Sequence, residues 1–217
     1  MKTIHHIVEE QVRRWEILRR EEREQKKLPV ITLSREPGSG GKFVAEAVAE
    51  KLDLELFHEA LINAMAQNAD TNARVIRTLD ERGLSMLEDW VSAAISERHL
   101  WPDEFSRMMM KVIGTIGRHG KAIIVGRGAN FVLPPENRFR VRIVAPFEKR
   151  VSCVAETHGV SRDEAKQRVL RTESDRRAFI RKYYHSSISD TANYDMVLNT
   201  GTFSVEKAAA TICSAVV

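Results

Sequence analysis

Residues 30 to 52, VITLSREPGSGGKFVAEAVAEKL, constrain the fold more than any other stretch of the chain. VITLS is short, apolar and β-rich, as a buried parallel strand is. Gly38, Gly40 and Gly41 follow, ahead of Lys42. Glycine permits positive φ and removes side chains that keep an anion at a distance. Successive backbone N–H groups can then converge on one phosphate. From Lys42 the apolar residues Val44, Val48 and Leu52 recur at helical spacing. The positive end of that helix faces the same anion. Lys42 adds a point charge for β- and γ-phosphate oxygens. Strand, loop and helix together predict a phosphate-binding element over Gly38, Ser39, Gly40, Gly41 and Lys42. A purely structural glycine turn is the competing reading.

The loop departs from the pattern G-x-x-x-x-G-K-[ST] at two places. Glu36 stands at the first glycine, and Phe43 stands where a hydroxyl ordinarily holds magnesium. The metal ligands are therefore unassigned by the sequence.

The remaining segments alternate between short apolar runs and helical patterns. LELF (54–57), AIIVG (122–126), FRVRIVA (139–145) and DMVLN (195–199) read as four more strands. The stretch 58–118 is helical, with core stripes such as Leu61, Ile62, Met65 and Ala66. Ser161 opens another helix, with Glu164 at the capping-box position, and a last helix spans 204–215. Five strands separated by helices predict an α/β fold, a parallel sheet with helices on both faces. Residues 3–27 predict one amphipathic helix with Ile4, Val8, Val12, Trp15 and Leu18 on its apolar stripe. Glu22 and Lys26 form a favourable i,i+4 pair on it. That stripe packs on the domain or on another subunit, so a homodimer through this helix is one expectation.

Composition sets limits. A chain of 217 residues, 43% hydrophobic and 29% charged, holds one sizeable core without disulfides or structural metal. The net charge of +4 suits a protein that meets phosphates but is too small to argue for nucleic acid. Cys153 and Cys213 are isolated, which excludes a zinc cluster and favours a reducing compartment. The first ten residues do not resemble a secretory leader, and no apolar run is long enough to span a membrane. The cytoplasm is the expected location.

Two further groups carry chemistry. Arg127 lies between Gly126 and Gly128 at the end of the third strand, where open parallel sheets bind ligands. Arg171, Arg176, Arg177, Arg181 and Lys182 concentrate positive charge on one helix. Phosphoryl transfer needs such charge around the moving group, and a mobile lid can bring it there. An incidental surface arginine and a solvated basic helix are the respective alternatives.

SREPGSGGK, IIVGRGAN, SDRRAFIRKYY and NYDMVLNT, in this order, resemble the cytidylate kinase-like family of P-loop proteins, relatives of the nucleoside monophosphate kinases. The resemblance runs from Val30 to the C-terminus and leaves the N-terminal helix uncovered. It implies a three-layer P-loop NTPase fold with a five-stranded parallel sheet. The expected organisation is an N-terminal helix (1–28) and a kinase-like domain (29–217). Within that domain lie a helical acceptor-binding insert (58–118) and a lid region (160–190). The resemblance also implies ATP with magnesium as donor and a nucleoside monophosphate such as CMP as acceptor. Carried across, Gly38, Ser39, Gly40, Gly41 and Lys42 would hold the donor phosphates, with Phe43 adjoining them. Arg127 would meet the acceptor phosphate, and Arg176, Arg177 and Arg181 would be lid arginines. Asn199 and Thr200 would lie near the donor base. The acids expected on either side of Arg127 are absent, since Val125 and Gly128 stand there. A non-catalytic nucleotide-binding regulator is the first alternative. A nucleic-acid-associated protein using the N-terminal helix is the second. Neither nucleic acid nor membrane is an expected partner.

Overall fold

The computed structural model describes residues 3–18 and 29–216. Helix α1 spans Ile4–Leu18; the expected continuation over 19–27, with its Glu22–Lys26 pair, lies outside the described residues. Strand β1 (Val30–Arg35) leads through the glycine loop into α2 (Gly41–Leu52), and β2 is Glu55–His58. Four helices follow, α3 (Glu59–Gln67), α4 (Ala69–Arg77), α5 (Glu81–Glu97) and α6 (Glu104–His119). Strand β3 (Ala122–Val125), the single turn α7 (Ala129–Val132) and β4 (Arg138–Val144) come next. Then follow α8 (Phe147–His158), α9 (Arg162–Tyr184), β5 (Met196–Asn199) and α10 (Val205–Val216).

All five strands are parallel, in the order β2-β3-β1-β4-β5. The expected strands are thus all present, with ends displaced by about one residue, as strand ends commonly are. Helix α8 is an addition to the expected elements; its Phe147, Val151, Val154 and Ala155 recur at helical spacing and pack against Ala165 and Val169 of α9. Polar side chains begin the helices as the sequence requires. Asp80, Asp103 and Ser161 accept hydrogen bonds from Gly83, Ser106 and Glu164 backbone N–H groups.

Alternation along the strands divides the interior into two layers. Ile31, Leu33, Ile123, Val125, Val141 and Ile143 face a core closed by α2 and α10. Val30, Ala122 and Ile124 face the other, larger core built by α1, α3, α5 and α6. Trp15 belongs to that second core, only 2% exposed, stacked between Phe57 and His119. Helix α1 therefore packs on the domain through the stripe Val8, Val12 and Trp15. Gln11 and Arg14 also clasp Glu55 at the start of β2. Among the described residues, no helix is long and apolar enough to cross a membrane.

The central strand β1 has β3 on one side and β4 on the other. The chain order reverses there, so the crevice beyond its C-terminal end is where this topology accommodates a ligand.

Candidate functional site

The glycine loop occupies that crevice. Gly38 and Gly40 have φ of 78° and 72°, a region in which side chains are strained. At Gly38 space is also decisive, since a Cβ would fall 2.3 Å from the Arg150 carbonyl oxygen. The N-cap residue Gly40 offers no side chain to cap α2, so its first amides are placed to meet an external acceptor. The Lys42 ammonium is free to move, with its side chain 79% exposed and Glu46 3.8 Å away. Phe43 is exposed beside it.

Glu36 has a structural explanation. Its carboxylate accepts a hydrogen bond from Ala145 N–H at 3.0 Å and lies 3.4 Å from Arg150 Nε and 3.8 Å from Arg142. It is thus an anchor for the loop on two buried cations. Ser39 is buried, and its hydroxyl donates to the Glu36 carbonyl at 2.8 Å. Thr200 supports the loop from the next layer, its hydroxyl donating to the Ser39 carbonyl at 2.7 Å. The Asn199 side chain accepts from Gly201 N–H. Neither Asn199 nor Thr200 lines the cavities described next.

Two cavities meet at the end of β1. The first, about 490 Å³, is lined by the loop, Lys42, Phe43 and part of α8. The second, about 310 Å³, lies beneath α9 and is lined by Thr32, Ser34, Arg127, Asn130, Phe179 and Tyr194 among others. Arg35, Glu59 and Arg176 line both. Of the helical stretch 58–118, the second cavity takes Glu59 alone. Arg177 and Arg181 are exposed outside both cavities, Arg177 being paired with Glu173 one turn away.

Arg127 is presented by a turn of three consecutive left-handed residues, Gly126, Arg127 and Gly128. Gly128 cannot carry a Cβ, which would meet the Tyr184 ring at 2.1 Å. The buried Tyr184 hydroxyl donates to the Arg127 carbonyl at 2.7 Å and fixes the turn. The guanidinium lies 4.9 Å over the Phe179 ring. Its Nε is buried without a hydrogen-bond partner among the described residues.

The sequence reading finds no acid flanking Arg127, yet the structure supplies one. Glu59 Oε1 is 3.5 Å from the Arg127 guanidinium, and Oε2 is 3.4 Å from that of Arg35. Parallel pairing of β2 with β3 sets His58 opposite Val125, which brings Glu59 beside the Arg127 turn. Burial pushes the Glu59 carboxyl up, but the charges of Arg127, Arg35 and Arg176 outweigh it and hold it below the ordinary range. Glu59 is therefore a carboxylate at neutral pH. Arg176 donates to the Arg35 carbonyl at 2.9 Å. Burial, reinforced by Arg35, lowers its pKa to about 10, so it stays charged at neutral pH. Burial also lowers Arg35. The junction thus holds three cations and one anion around a shared opening.

A glycine loop, an arginine at the third strand end and an arginine on a covering helix converge in space as their order in the chain implies. The sequence profile of the cytidylate kinase-like family matches residues 30–202. The chain belongs to that family. A cytidylate kinase of Ignicoccus hospitalis is 26% identical over 186 residues, covering 85% of this chain and 97% of that protein. A cytidylate kinase of Pyrococcus horikoshii is 28% identical over 187 residues, covering 83% and 87%. Among solved structures, an uncharacterized protein from Eubacterium ventriosum superposes with a TM-score of 0.62 at 21% identity. It covers 87% of this chain and 98% of its own length, which shows the shared fold. Helix α1 lies outside the matched family region.

Arg35 is the residue that the motifs pass over, and Glu59 stands one position beyond His58, where the family resemblance places an acid. Arg35 lies inside the glycine motif but projects to the junction. Glu59 directly follows a strand, the position at which parallel sheets place ligand-binding groups.

Proposed function

We propose that this protein is a kinase that transfers the γ-phosphoryl group of ATP to a small acceptor, a nucleoside monophosphate such as CMP. The observation that carries this reading is that Arg35, Glu59 and Arg176 line both cavities. A group leaving one ligand for the other would pass among them. The open amides of α2, the glycine loop and Lys42 bind the donor phosphates. Arg127 holds the acceptor phosphate, and Arg35 and Arg176 neutralise charge as the phosphoryl group moves. The names of the relatives from Ignicoccus hospitalis and Pyrococcus horikoshii make CMP the first acceptor to test.

Magnesium fits this site as part of the nucleotide complex. Among the described residues no group of three or more His, Cys, Asp or Glu side chains could hold a metal. Magnesium in kinases is held mainly by substrate phosphates with one or two carboxylates. Glu59, ionised and lining both cavities, is the carboxylate to join them. When bound, magnesium adds positive charge at the β- and γ-phosphate oxygens. Phe43, in place of a hydroxyl, favours the second reading, a regulator that binds nucleotide without turnover. Release of ADP, measured across nucleoside monophosphates with ATP and magnesium, separates the two. Acceptor-dependent ADP release supports the kinase. ATP binding with no release for any acceptor supports the regulator.

A further inference from the structure

The acceptor cavity has two chemically different ends. At the end of β1 stand Arg35, Arg127, Arg176 and Glu59, all charged. Three residues earlier on the same strand is Thr32, about 10 Å deeper at the rise of a parallel strand. There the lining is uncharged and polar, with Thr32, Ser34, Asn130 and Tyr194. Thr32 is 2% exposed, and its buried hydroxyl has no hydrogen-bond partner among the described residues. Its neighbours along the cavity are engaged. Ser34 accepts from Arg142 at 2.9 Å, and the Tyr194 hydroxyl donates to the Ile188 carbonyl at 2.8 Å. Asn130 is 7% exposed, and its amide N–H donates to the Asn193 carbonyl at 3.4 Å, leaving the amide oxygen available. A buried hydroxyl without a partner costs free energy, so a native structure that keeps one invites a functional account.

We propose that Thr32 is a specificity-determining residue of the acceptor site, hydrogen-bonding the uncharged ring of the acceptor while the arginines hold its phosphate. This rests on the acceptor reading above. It assigns recognition of the ring to the central strand, since α3 to α6 contribute only Glu59 to the cavity. The matching ligand carries an anion at one end and a neutral hydrogen-bonding ring at the other, with a pentose-sized spacer between. A nucleoside monophosphate has that form. A sugar phosphate has the anion and the pentose but lacks the base that supplies this ring.

The test uses the full chain and Thr32→Val, which keeps size and β-branching but removes the hydroxyl. Binding is measured by calorimetry, without turnover, for CMP, UMP, AMP, GMP, ribose 5-phosphate and ATP. The expected result is that the best-bound monophosphate weakens about tenfold on loss of one buried hydrogen bond. Ribose 5-phosphate and ATP keep their affinities. The melting temperature without ligand stays equal or rises, because an unpartnered buried hydroxyl has been removed. Unchanged monophosphate affinity overturns the proposal, as does equal weakening of ribose 5-phosphate. A lowered melting temperature also overturns it, since the hydroxyl then serves the fold. Failure of every monophosphate to bind the unaltered protein overturns it too. Binding that follows the expected pattern without phosphoryl transfer would sink the kinase reading and leave this one standing.

Discussion

The Glu59 carboxylate lies 3.5 Å from the Arg127 guanidinium and, through its other oxygen, 3.4 Å from that of Arg35. One anion therefore aligns two cations from different strand ends at the meeting point of two cavities. Glu59→Gln keeps the shape and removes the charge. Turnover should fall at least tenfold, while ATP affinity changes less, because the glycine loop and Lys42 are untouched. The same variant has a pH signature. The folded pKa of Glu59 is depressed below the ordinary 4.5. Its ion pairs thus contribute stability that is fully present above the unfolded pKa and lost as pH falls through the folded value. The stability gap between native protein and Glu59→Gln should be constant at neutral pH and shrink below pH 4.5. Urea denaturation from pH 7 down to the acid limit of folding measures it.

The basic helix contains arginines of unequal importance. Arg176 shares a face with Ile180 and Tyr184, which are 6% and 0% exposed, and so points inward at both cavities. Arg177 and Arg181 point outward. Arg176→Ala should lower kcat by about 10²-fold, the usual scale for removing one preorganised charge at a reacting centre. Arg177→Ala and Arg181→Ala should leave kcat little changed. A steady-state comparison of the three variants decides this, and equal losses in all three would show that α9 closes further than the structure indicates.

Helix α1 lies outside the matched family region but is part of the core. Trp15 is 2% exposed between Phe57 and His119. Trp15→Ala should cost about 3–5 kcal/mol, as buried tryptophan truncations do. The displacement should reach the site, because Phe57 is on β2, whose end carries Glu59. Denaturant unfolding gives the first quantity, and kcat under folding conditions gives the second.

The legible parts of this protein were those with a local signature. The glycine loop is recognisable because strand, glycines and helix are contiguous. The strands are recognisable as short apolar or alternating runs between turn signals, and Ser161 caps its helix as its spacing with Glu164 indicates. Glu59 is different. Its role depends on the β2–β3 register, a pairing between distant segments that no local pattern encodes. Arg176 is distinguished from Arg177 by its spacing of four and eight residues to the apolar Ile180 and Tyr184, which mark the buried face of α9. Arg138, Arg140 and Arg142 alternate along β4, a period-two signal for a polar sheet face, and Arg142 indeed reaches Ser34, which lines the second cavity. Helix α8 was legible too, since Phe147, Val151, Val154 and Ala155 recur at i, i+4, i+7 and i+8, although its most buried residues include the charged Arg150.

The most direct measurement is transfer of a radiolabelled γ-phosphoryl group from ATP to CMP and the other monophosphates, followed by product separation. It is run on the native protein and on Arg127→Ala. Labelled nucleoside diphosphate is expected from the native protein, with a loss of about 10²-fold in Arg127→Ala and ATP affinity retained. Native protein that binds ATP yet labels no acceptor, or Arg127→Ala that transfers as well as native, would contradict that expectation.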